Sequence, residues 1–295
     1  MKFHFFPLFL STMLLIPTSA RELRLERNEV SGTIKVFDGS RKEALVTQHA
    51  RPDFRPYLHP ILALDGKGIL TEYQPGHHKH QTGLYWGITR LNGRDYFHHP
   101  EGGYWKRNSF RTIKDKGPTV SWETVYHLLD EKGQSVLAET QQWEMKASDK
   151  QYILDLTWNG LAIKEITIGK YNYGGLFLRM PWRKGIEGAA VNAEGHRNQQ
   201  AEGKRSSWVD VGLKVDGRED FAHIAILDHP KNTDYPQPWR VDHQLGVGPV
   251  RARFGDWKIE KGKTETIRHR ILVYTGPLNE SLINEQKKAI SEGSK

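Results

Sequence analysis

The stretch Tyr152-Ile153-Leu154-Asp155-Leu156-Thr157-Trp158 decides the fold. Its large side chains fall at every second position: Tyr152, Leu154, Leu156 and Trp158. Because successive side chains of a strand point to opposite faces, a period of two indicates a β-strand with one face on a core. The stretch therefore predicts a half-buried strand rather than a helix.

The same period recurs along the chain, in Thr33-Ile34-Lys35-Val36-Phe37, from Val120 to Tyr126 and from Ile267 to Val273. Short turn signals separate the runs: Asp38-Gly39, Asp65-Gly66, Asn92-Gly93, Asn159-Gly160 and Asp216-Gly217. Asn-Gly and Asp-Gly favour tight hairpins because both positions accept positive φ. Many short antiparallel strands predict an all-β protein, a large antiparallel β-sandwich of the jelly-roll or supersandwich kind. Only residues 278–294 look helical, which predicts a short C-terminal helix.

The N-terminus resembles a secretory leader. Met1-Lys2 precedes an apolar run from Phe5 to Ile16, and small residues ending at Ala20 follow. This pattern predicts a signal peptide at residues 1–20, a single β-sandwich domain at residues 21–295, and a periplasmic or secreted protein. An uncleaved membrane anchor is the alternative, although the run is shorter than the roughly 20 residues that span a bilayer. No later segment is apolar enough to cross a membrane, so we expect no membrane-spanning segment after cleavage.

Composition excludes several kinds of chemistry. The 295 residues contain no cysteine, so thiolate catalysis, thiolate metal sites and iron–sulfur clusters are excluded. The formal charge is +8, or +7 once Lys2 is removed with the leader, and basic residues are mostly interleaved with acids. A net positive field can attract anionic ligands. With no basic arm or recognised binding motif, a nucleic-acid partner is not expected. Cofactors and oligomeric state stay unknown.

The segment from Arg55 to Trp105 concentrates titratable side chains. Six of the 14 histidines lie in it: His59, His77, His78, His80, His98 and His99. Imidazole both titrates near neutral pH and binds transition metals. In a strand His78 and His80 would point the same way, so they are candidate acid/base residues. No carboxylate stands at ligand spacing beside them, and no residue is assigned to a metal. Hydrogen bonding within a loop is the alternative for this pair.

Three further stretches carry candidate site residues. Arg55-Pro56-Tyr57-Leu58-His59 offers a guanidinium fork for hydroxyl or carboxylate oxygens, with a structural arginine as the alternative. Gly174-Gly175 precedes a strand that delivers Arg179. The third stretch runs from Asp228-His229 through Asn232 to Trp239, and Asp228 could orient His229 as a general acid or base. Asp-His-Pro is also a common turn sequence. Residues 185–205 are polar and irregular, which suits a functional loop or a disordered insertion.

At these positions the chain resembles a bacterial family commonly labelled "methane oxygenase PmoA". The matching residues are Arg55-Pro56-Tyr57, Pro60, His78, His80, Gly83, Leu84, Asn92-Gly93, Gly174, Gly175, Leu176, Arg179, Asp228, His229, Pro230, Asn232, Pro236, Pro238 and Trp239. The chain departs from the family pattern at His77, Gln81 and Thr82. A membrane monooxygenase subunit needs several apolar spans, which this chain lacks. The resemblance implies instead a galactose-mutarotase-like β-sandwich from bacteria that degrade polysaccharides.

These observations lead to one main functional hypothesis. Aromatic rings mixed with planar polar groups suit a saccharide or another polar small molecule, so we expect an exported carbohydrate-active protein, a hydrolase, lyase or epimerase. The expected catalytic residues are His78, His80, Asp228 and His229. The expected substrate-binding residues are Arg55, Tyr57, His59, Trp86, Arg179, Asn232 and Trp239. A glycan-binding protein without catalysis and a histidine-ligated oxygenase-like metal site are the alternatives.

Overall fold

Two large antiparallel sheets make up most of the molecule. The structure, a computed structural model, describes residues 20–39 and 41–293; the expected leader lies outside these residues except for Ala20. Within them the strands pair antiparallel throughout and stack as two layers around one apolar core. The predicted all-β sandwich with a short C-terminal helix is confirmed.

The first layer, sheet A, has nine strands in the described residues. From edge to edge they are β16 (Trp239–Val241), β17 (Val247–Pro249), β12 (Gly175–Leu178), β5 (Leu84–Gly87), β4 (Tyr57–Ile61), β3 (Val46–His49), β2 (Thr33–Asp38), β1 (Leu23–Asn28) and β7 (Lys116–Gly117). Its central strands are short, and the loops between them carry the histidine-rich segment.

The second layer, sheet B, has eight longer strands among the described residues. In spatial order they are β13 (Gly188–Asn192), β14 (Trp208–Leu213), β15 (Ala222–Asp228), β19 (Thr264–Thr275), β10 (Tyr152–Ala162), β9 (Ser135–Ala147), β8 (Thr119–Leu129) and β6 (Trp105–Lys114). A small ribbon of β11 (Ile166–Ile168) and β18 (Trp257–Ile259) lies apart from both sheets.

The strand that decided the fold prediction, β10, lies in the middle of sheet B between β9 and β19. Leu154, Leu156 and Trp158 are almost fully buried and face sheet A. The indole of Trp158 stacks on that of Trp86 from β5, with ring centroids 4.7 Å apart. Stacked aromatic pairs of this kind add to the free energy gained by burial, so this contact joins the two layers.

The expected turn at Asn159-Gly160 is wrong. Strand β10 continues to Ala162, and Asn159 and Gly160 pair with both neighbouring strands. A Cβ on Gly160 would lie 2.2 Å from the indole of Trp158. The glycine is therefore required because the Trp158 ring occupies its side-chain position, and it marks a close approach within a strand.

The C-terminal helix α1 (Glu280–Glu292) covers the outer face of sheet B. The Asn279 side chain accepts a hydrogen bond from the Leu282 amide and caps the helix. Ile283 and Ile290 pack onto an outer apolar cluster with Leu227 and Leu272. Within the described residues, no helix is long and apolar enough to cross a membrane.

The polar segment at residues 185–205 is ordered. It contains β13 and a short 3-10 turn, Asn198–Gln200, whose Asn198 side chain accepts a hydrogen bond from the Ala190 amide. The alternative of a disordered insertion is therefore wrong. Backbone pairing of β13 with β14 explains the order, since it satisfies the amide groups that a loop would leave to water.

A carboxylic acid, Glu139, is buried in the core beside Trp158. Glu139 on β9 is 1% exposed and accepts hydrogen bonds from Trp158 Nε1 at 2.8 Å and Gln141 Nε2 at 2.7 Å. Burial raises the pKa of Glu139 to about 7, against the lowering effect of the two hydrogen bonds and of the nearby Arg55 charge. Folding therefore favours the protonated acid.

This burial predicts a pH-dependent contribution to stability. The pKa of Glu139 is higher in the folded state than in the unfolded state, so the protonated side chain stabilises the fold. This stabilisation is complete below pH 4.5 and is lost as the pH rises through 7. Glu139→Gln removes the titrating group, so it serves as the reference. The difference between the free energies of unfolding of the wild type and of Glu139→Gln should fall by about 2 kcal/mol between pH 5 and pH 8. Urea unfolding at both pH values measures it. A difference that stays constant with pH would show that Glu139 titrates normally.

Candidate functional site

An aromatic layer covers the outer face of the central strands of sheet A. Tyr57 on β4 lies opposite Tyr85 on β5, which in turn lies opposite Phe177 on β12. Their chain neighbours, such as Leu58 and Leu84, point into the core because side chains alternate along a strand. With Phe54 and Phe97, the three rings form a separate apolar cluster. The sheet is thus buried on both faces at this point.

Arg55 fixes two loops onto this layer. Its side chain is fully buried, and the guanidinium lies 3.8 Å from the centroid of the Tyr85 ring. It donates hydrogen bonds to the carbonyls of Phe97, at 2.6 Å, and His80. Burial lowers the pKa of Arg55 to about 10, so it stays protonated at neutral pH. The guanidinium therefore holds the His80 and Phe97 backbones side by side.

A hollow of about 120 Å³ opens above this clamp. Its wall consists of His78, His80, Gln81, Phe97, His98, Tyr173, Phe177, Arg240 and Asp242. The floor is aromatic and the rim polar, which is the usual composition of a small-molecule site. Segments from four distant parts of the chain meet here, and we refer to this space as the histidine hollow.

One imidazole in the hollow is held by a carboxylate. The Nδ1 atom of His98 lies 2.6 Å from Asp95 Oδ2, and its Nε2 atom lies 3.2 Å from the hydroxyl of Tyr173. Asp95 Oδ1 also accepts hydrogen bonds from the amides of Phe97 and His98. Burial raises the Asp95 pKa, but these hydrogen bonds outweigh it and the pKa is below its ordinary value. An ionised Asp95 orients His98 with Nδ1 as the donor and Nε2 toward the hollow.

The other two imidazoles favour the neutral form. Burial, followed by the charges of His98 and Arg55, lowers the pKa of His80 to about 3. Burial and His77 likewise lower the pKa of His78. The ring of His80 lies 4.5 Å from that of His98, measured between centroids. The hollow thus places a neutral imidazole beside a carboxylate-bound one.

The charged side chains that line the hollow are held by other groups of the protein. Arg240 binds Glu202 Oε1 at 2.9 Å and lies 5.8 Å from the Tyr173 ring. Asp242 Oδ1 accepts hydrogen bonds from the amides of Gln244 and Gly246, both at 2.8 Å. The charges are therefore fixed in place by the protein itself.

Several buried polar atoms beside the hollow have no hydrogen-bond partner among the described residues. Gln81 Oε1 and the hydroxyl of Tyr85 belong to residues that are 4% and 1% exposed. Buried polar groups nearly always have partners, since an unpaired one costs about 1–3 kcal/mol. Gln81 lines the hollow itself. This unpaired group indicates a site built for a polar ligand or for ordered water.

The structure brings only some of the predicted site residues together. His78 and His80 line the hollow, and Arg179 lies close enough for its charge to lower the pKa of His78. Arg179 is 2% exposed, however, and lies 3.6 Å from Glu72 with a weak bond to the Gln244 carbonyl. It therefore supports the wall of the hollow.

The contacts of Asp228 do not support its predicted role of orienting the His229 ring. Asp228 is fully buried, and its carboxylate accepts hydrogen bonds from Asn232 Nδ2 and from the amides of His229 and Gln237. It thus closes a turn and does not orient the His229 ring, whose Nδ1 accepts a bond from the Lys231 amide. His229 lines a different surface cavity, together with Arg268 and Arg270.

Other expected substrate contacts are also corrected. Trp239 is fully buried, with its indole donating to the Ser206 carbonyl, so it cannot stack on a ligand. Asn232 binds the backbone of Arg268 on β19. Arg55 and Tyr57 lie beneath the surface, and Trp86 points into the core against Trp158. His59 bonds Thr71 at 3.0 Å outside the hollow.

Sequence reasoning assigned no role to the other residues of the site, which are Gln81, Asp95, Phe97, His98, Tyr173, Phe177, Arg240 and Asp242. The spacing Asp95-x-x-His98 within the histidine-rich segment was an available signal, since a carboxylate three residues before a histidine can reach its ring. Nothing local indicated Arg240 or Asp242, which reach the hollow through the pairing of β16 with β17. Within the described residues, no group of three or more His, Asp or Glu side chains is arranged to hold a metal ion.

The chain belongs to a protein family of unknown function, DUF6807, whose model matches residues 38–288. This match overturns the expected resemblance to the family labelled methane oxygenase PmoA. No curated protein sequence matches the chain.

The fold is similar to sugar-enzyme structures at low identity. The α-galactosidase AgaB of family GH36 from Geobacillus stearothermophilus is 8% identical over 85% of this chain and 41% of its own, with a TM-score of 0.42. A variant of the α-galactosidase AgaA from the same organism, in complex with raffinose, is 11% identical. The match covers 88% of this chain and 41% of AgaA, with a TM-score of 0.39. A GalM/aldose epimerase homologue from C. elegans is 9% identical. The match covers 89% of this chain and 100% of the homologue, with a TM-score of 0.35. The chain thus spans about two fifths of the α-galactosidases, and these likenesses concern the fold alone.

The Asp95–His98 contact predicts a change of tautomer on substitution. In Asp95→Asn the amide NH₂ can face His98, so the proton should move from Nδ1 to Nε2 while Oδ1 still accepts the two backbone amides. Long-range ¹H–¹⁵N spectra of the imidazoles measure the change, with Asp53→Asn as an exposed control. Unchanged His98 nitrogen shifts in Asp95→Asn would contradict the geometry.

Proposed function

We propose that this member of the DUF6807 family binds a saccharide in the histidine hollow and transfers protons to and from it through His80 and His98. The observation that carries the proposal is the carboxylate-oriented His98 beside the neutral His80 at one polar-rimmed, aromatic-floored hollow. Proton transfer requires a base that has an unprotonated nitrogen and is held in position. The neutral His80 and the Nε2 atom of the Asp95-bound His98 meet this requirement.

The shape and polarity of the hollow support a sugar as the ligand. Phe97 and Phe177 supply apolar surface for the C–H face of a sugar ring, and Gln81, Arg240 and Asp242 supply hydrogen-bonding groups for its hydroxyls. The unpaired Oε1 of Gln81 accepts a hydrogen bond from a sugar hydroxyl in this arrangement. A saccharide would thereby satisfy a buried group that the protein leaves open.

The residues of the hollow favour epimerisation or elimination over hydrolysis. Glycosidases commonly use two carboxyl groups on either side of the scissile bond. Asp242 is the one carboxylate among the residues that line the hollow. The nearby carboxylate of Asp95 is hydrogen-bonded to His98 and so does not act as the second carboxyl group. The geometry suits a reaction in which His98 Nε2 removes a proton from the sugar, Asp95 stabilises the imidazolium that forms, and this imidazolium returns the proton to a sugar oxygen. The neutral ring of His80, in contact with His98, accepts the proton of a second sugar hydroxyl in the same way.

The direct test is turnover of a panel of mono- and oligosaccharides by the wild type, His98→Gln and His99→Gln. His99 is the matched control because it is the next residue, is exposed and pairs with Glu101 outside the hollow. We expect His98→Gln to lower kcat by about 10²–10⁴-fold with KM changed little, and His99→Gln to keep wild-type kinetics.

Equal turnover by wild type and His98→Gln would remove the proposed role. Saturable binding without product, weakened in His98→Gln, would instead establish a glycan-binding protein. Isothermal calorimetry with the same panel separates these outcomes.

We also propose export to the periplasm or medium, on the basis of the leader pattern at residues 1–20. The chain recovered from expressing cells should then begin at Arg21, as determined by intact-mass measurement of the fractionated protein. Recovery of a chain that retains residues 1–20 in the cytosolic fraction would contradict export.

A further inference from the structure

A second cavity lies between the two sheets, on the face of sheet A opposite to the histidine hollow. Its principal walls are Trp86, Gln237, Arg251, Trp257, Ile267 and His269. Its volume is about 30 Å³, which is room for about two oxygen-sized groups, since one water needs roughly 10–15 Å³. Thr233 is exposed and Trp257 half-buried, so these two residues form its mouth.

Four buried polar atoms of its walls have no hydrogen-bond partner in the described part of the chain. They are Trp86 Nε1, Gln237 Oε1, Arg251 Nε and His269 Nδ1. Trp86, Gln237 and His269 are 3%, 4% and 3% exposed. The Nδ1 atom of His269 lies 3.7 Å from Asp228 Oδ1, and Arg251 Nε lies 3.7 Å from Asp234 Oδ2, beyond hydrogen-bond distance. Because buried polar groups are nearly always hydrogen-bonded, four such atoms around one small space indicate that a polar group occupies it.

The chemical types of these atoms define the group that fits. Trp86 Nε1 and Arg251 Nε are donors and need an acceptor, whereas Gln237 Oε1 is an acceptor and needs a donor. A hydroxyl group supplies both. Two neighbouring hydroxyls fill the available volume and can satisfy all four atoms, with His269 Nδ1 as the fourth partner.

Charge disfavours an ionic occupant. Arg251 is neutralised by Glu265 at 2.6 Å, so it offers no free positive charge to an anion. Burial lowers the pKa of His269 to about 3, so its ring is neutral at physiological pH. The two N–H donors repel a cation. A neutral group with hydroxyls remains.

We propose that this cavity is a second binding site, which takes two vicinal hydroxyls of a neutral sugar or polyol. The remainder of the molecule lies at the mouth between Thr233 and Trp257. The site is independent of the proposed function, because Trp86 lines this cavity while its neighbour Tyr85 lies on the opposite face of the strand, in the aromatic layer beside the histidine hollow.

The indole N–H of Trp86 reports directly on occupancy. Its ¹H–¹⁵N resonance, assigned with Trp86→Phe, should shift saturably when glycerol or D-galactose is added to the full-length protein. Thr233→Trp, which fills the mouth, should weaken the apparent affinity at least about tenfold. Lys231→Trp is the matched control, since Lys231 is an exposed residue of the same loop that does not line the cavity.

The same titration of His98→Gln keeps this site and the histidine hollow separate. We expect the Trp86 shift to survive that substitution, whatever the outcome for turnover. A Trp86 resonance that neither compound moves, or that moves equally in Thr233→Trp, would overturn the proposal. A crystal soaked in D-galactose that shows only two waters bound to the four atoms would also overturn it.

Discussion

The buried guanidinium of Arg55 is the interaction on which the histidine hollow depends. Removing such a charge from water is costly, and it is tolerated where several groups compensate it. Here the compensation comes from the ring of Tyr85, from the carbonyls of Phe97 and His80, and from the nearby carboxylate of Asp95. Because two of these partners belong to site loops, the energetic need to satisfy Arg55 also determines where His80 and His98 lie. Stability of the sandwich and geometry of the site are thus linked through one side chain.

Strand β5 gives the fold its second organising feature. Tyr85 and Trp86 are consecutive, so one ring joins the outer aromatic layer while the other stacks on Trp158 between the sheets. A period of two therefore places the second cavity and the aromatic layer beside the histidine hollow on opposite faces of a single strand. The short central strands of sheet A leave long connections, and long loops on a rigid scaffold are where ligand sites commonly form.

The alternation in stretches such as β10 was enough to predict the sandwich, because side-chain burial in a strand follows a local rule. The site was less predictable. His78 and His80 were found through their clustering, but the loop geometry pairs His80 with His98 rather than with His78 alone. Asp228, Asn232 and Trp239 were predicted to be functional because polar and aromatic residues lie close together in the sequence. Their buried hydrogen bonds instead hold backbone segments of the fold together. Sequence patterns do not distinguish a buried polar group from an exposed one, and they do not show that Tyr173 and Arg240 come together.

The most direct test of the account is the proximity of the His80 and His98 rings in Arg55→Lys, measured by ¹H–¹H NOE in the protein without ligand. Lysine keeps the charge but loses the planar fork that bonds two carbonyls at once. We predict that the cross-peaks between the His80 and His98 rings, which are 4.5 Å apart in the wild type, disappear, while those between Trp86 and Trp158 remain. Persistence of both sets of cross-peaks would contradict the claim that Arg55 builds the site.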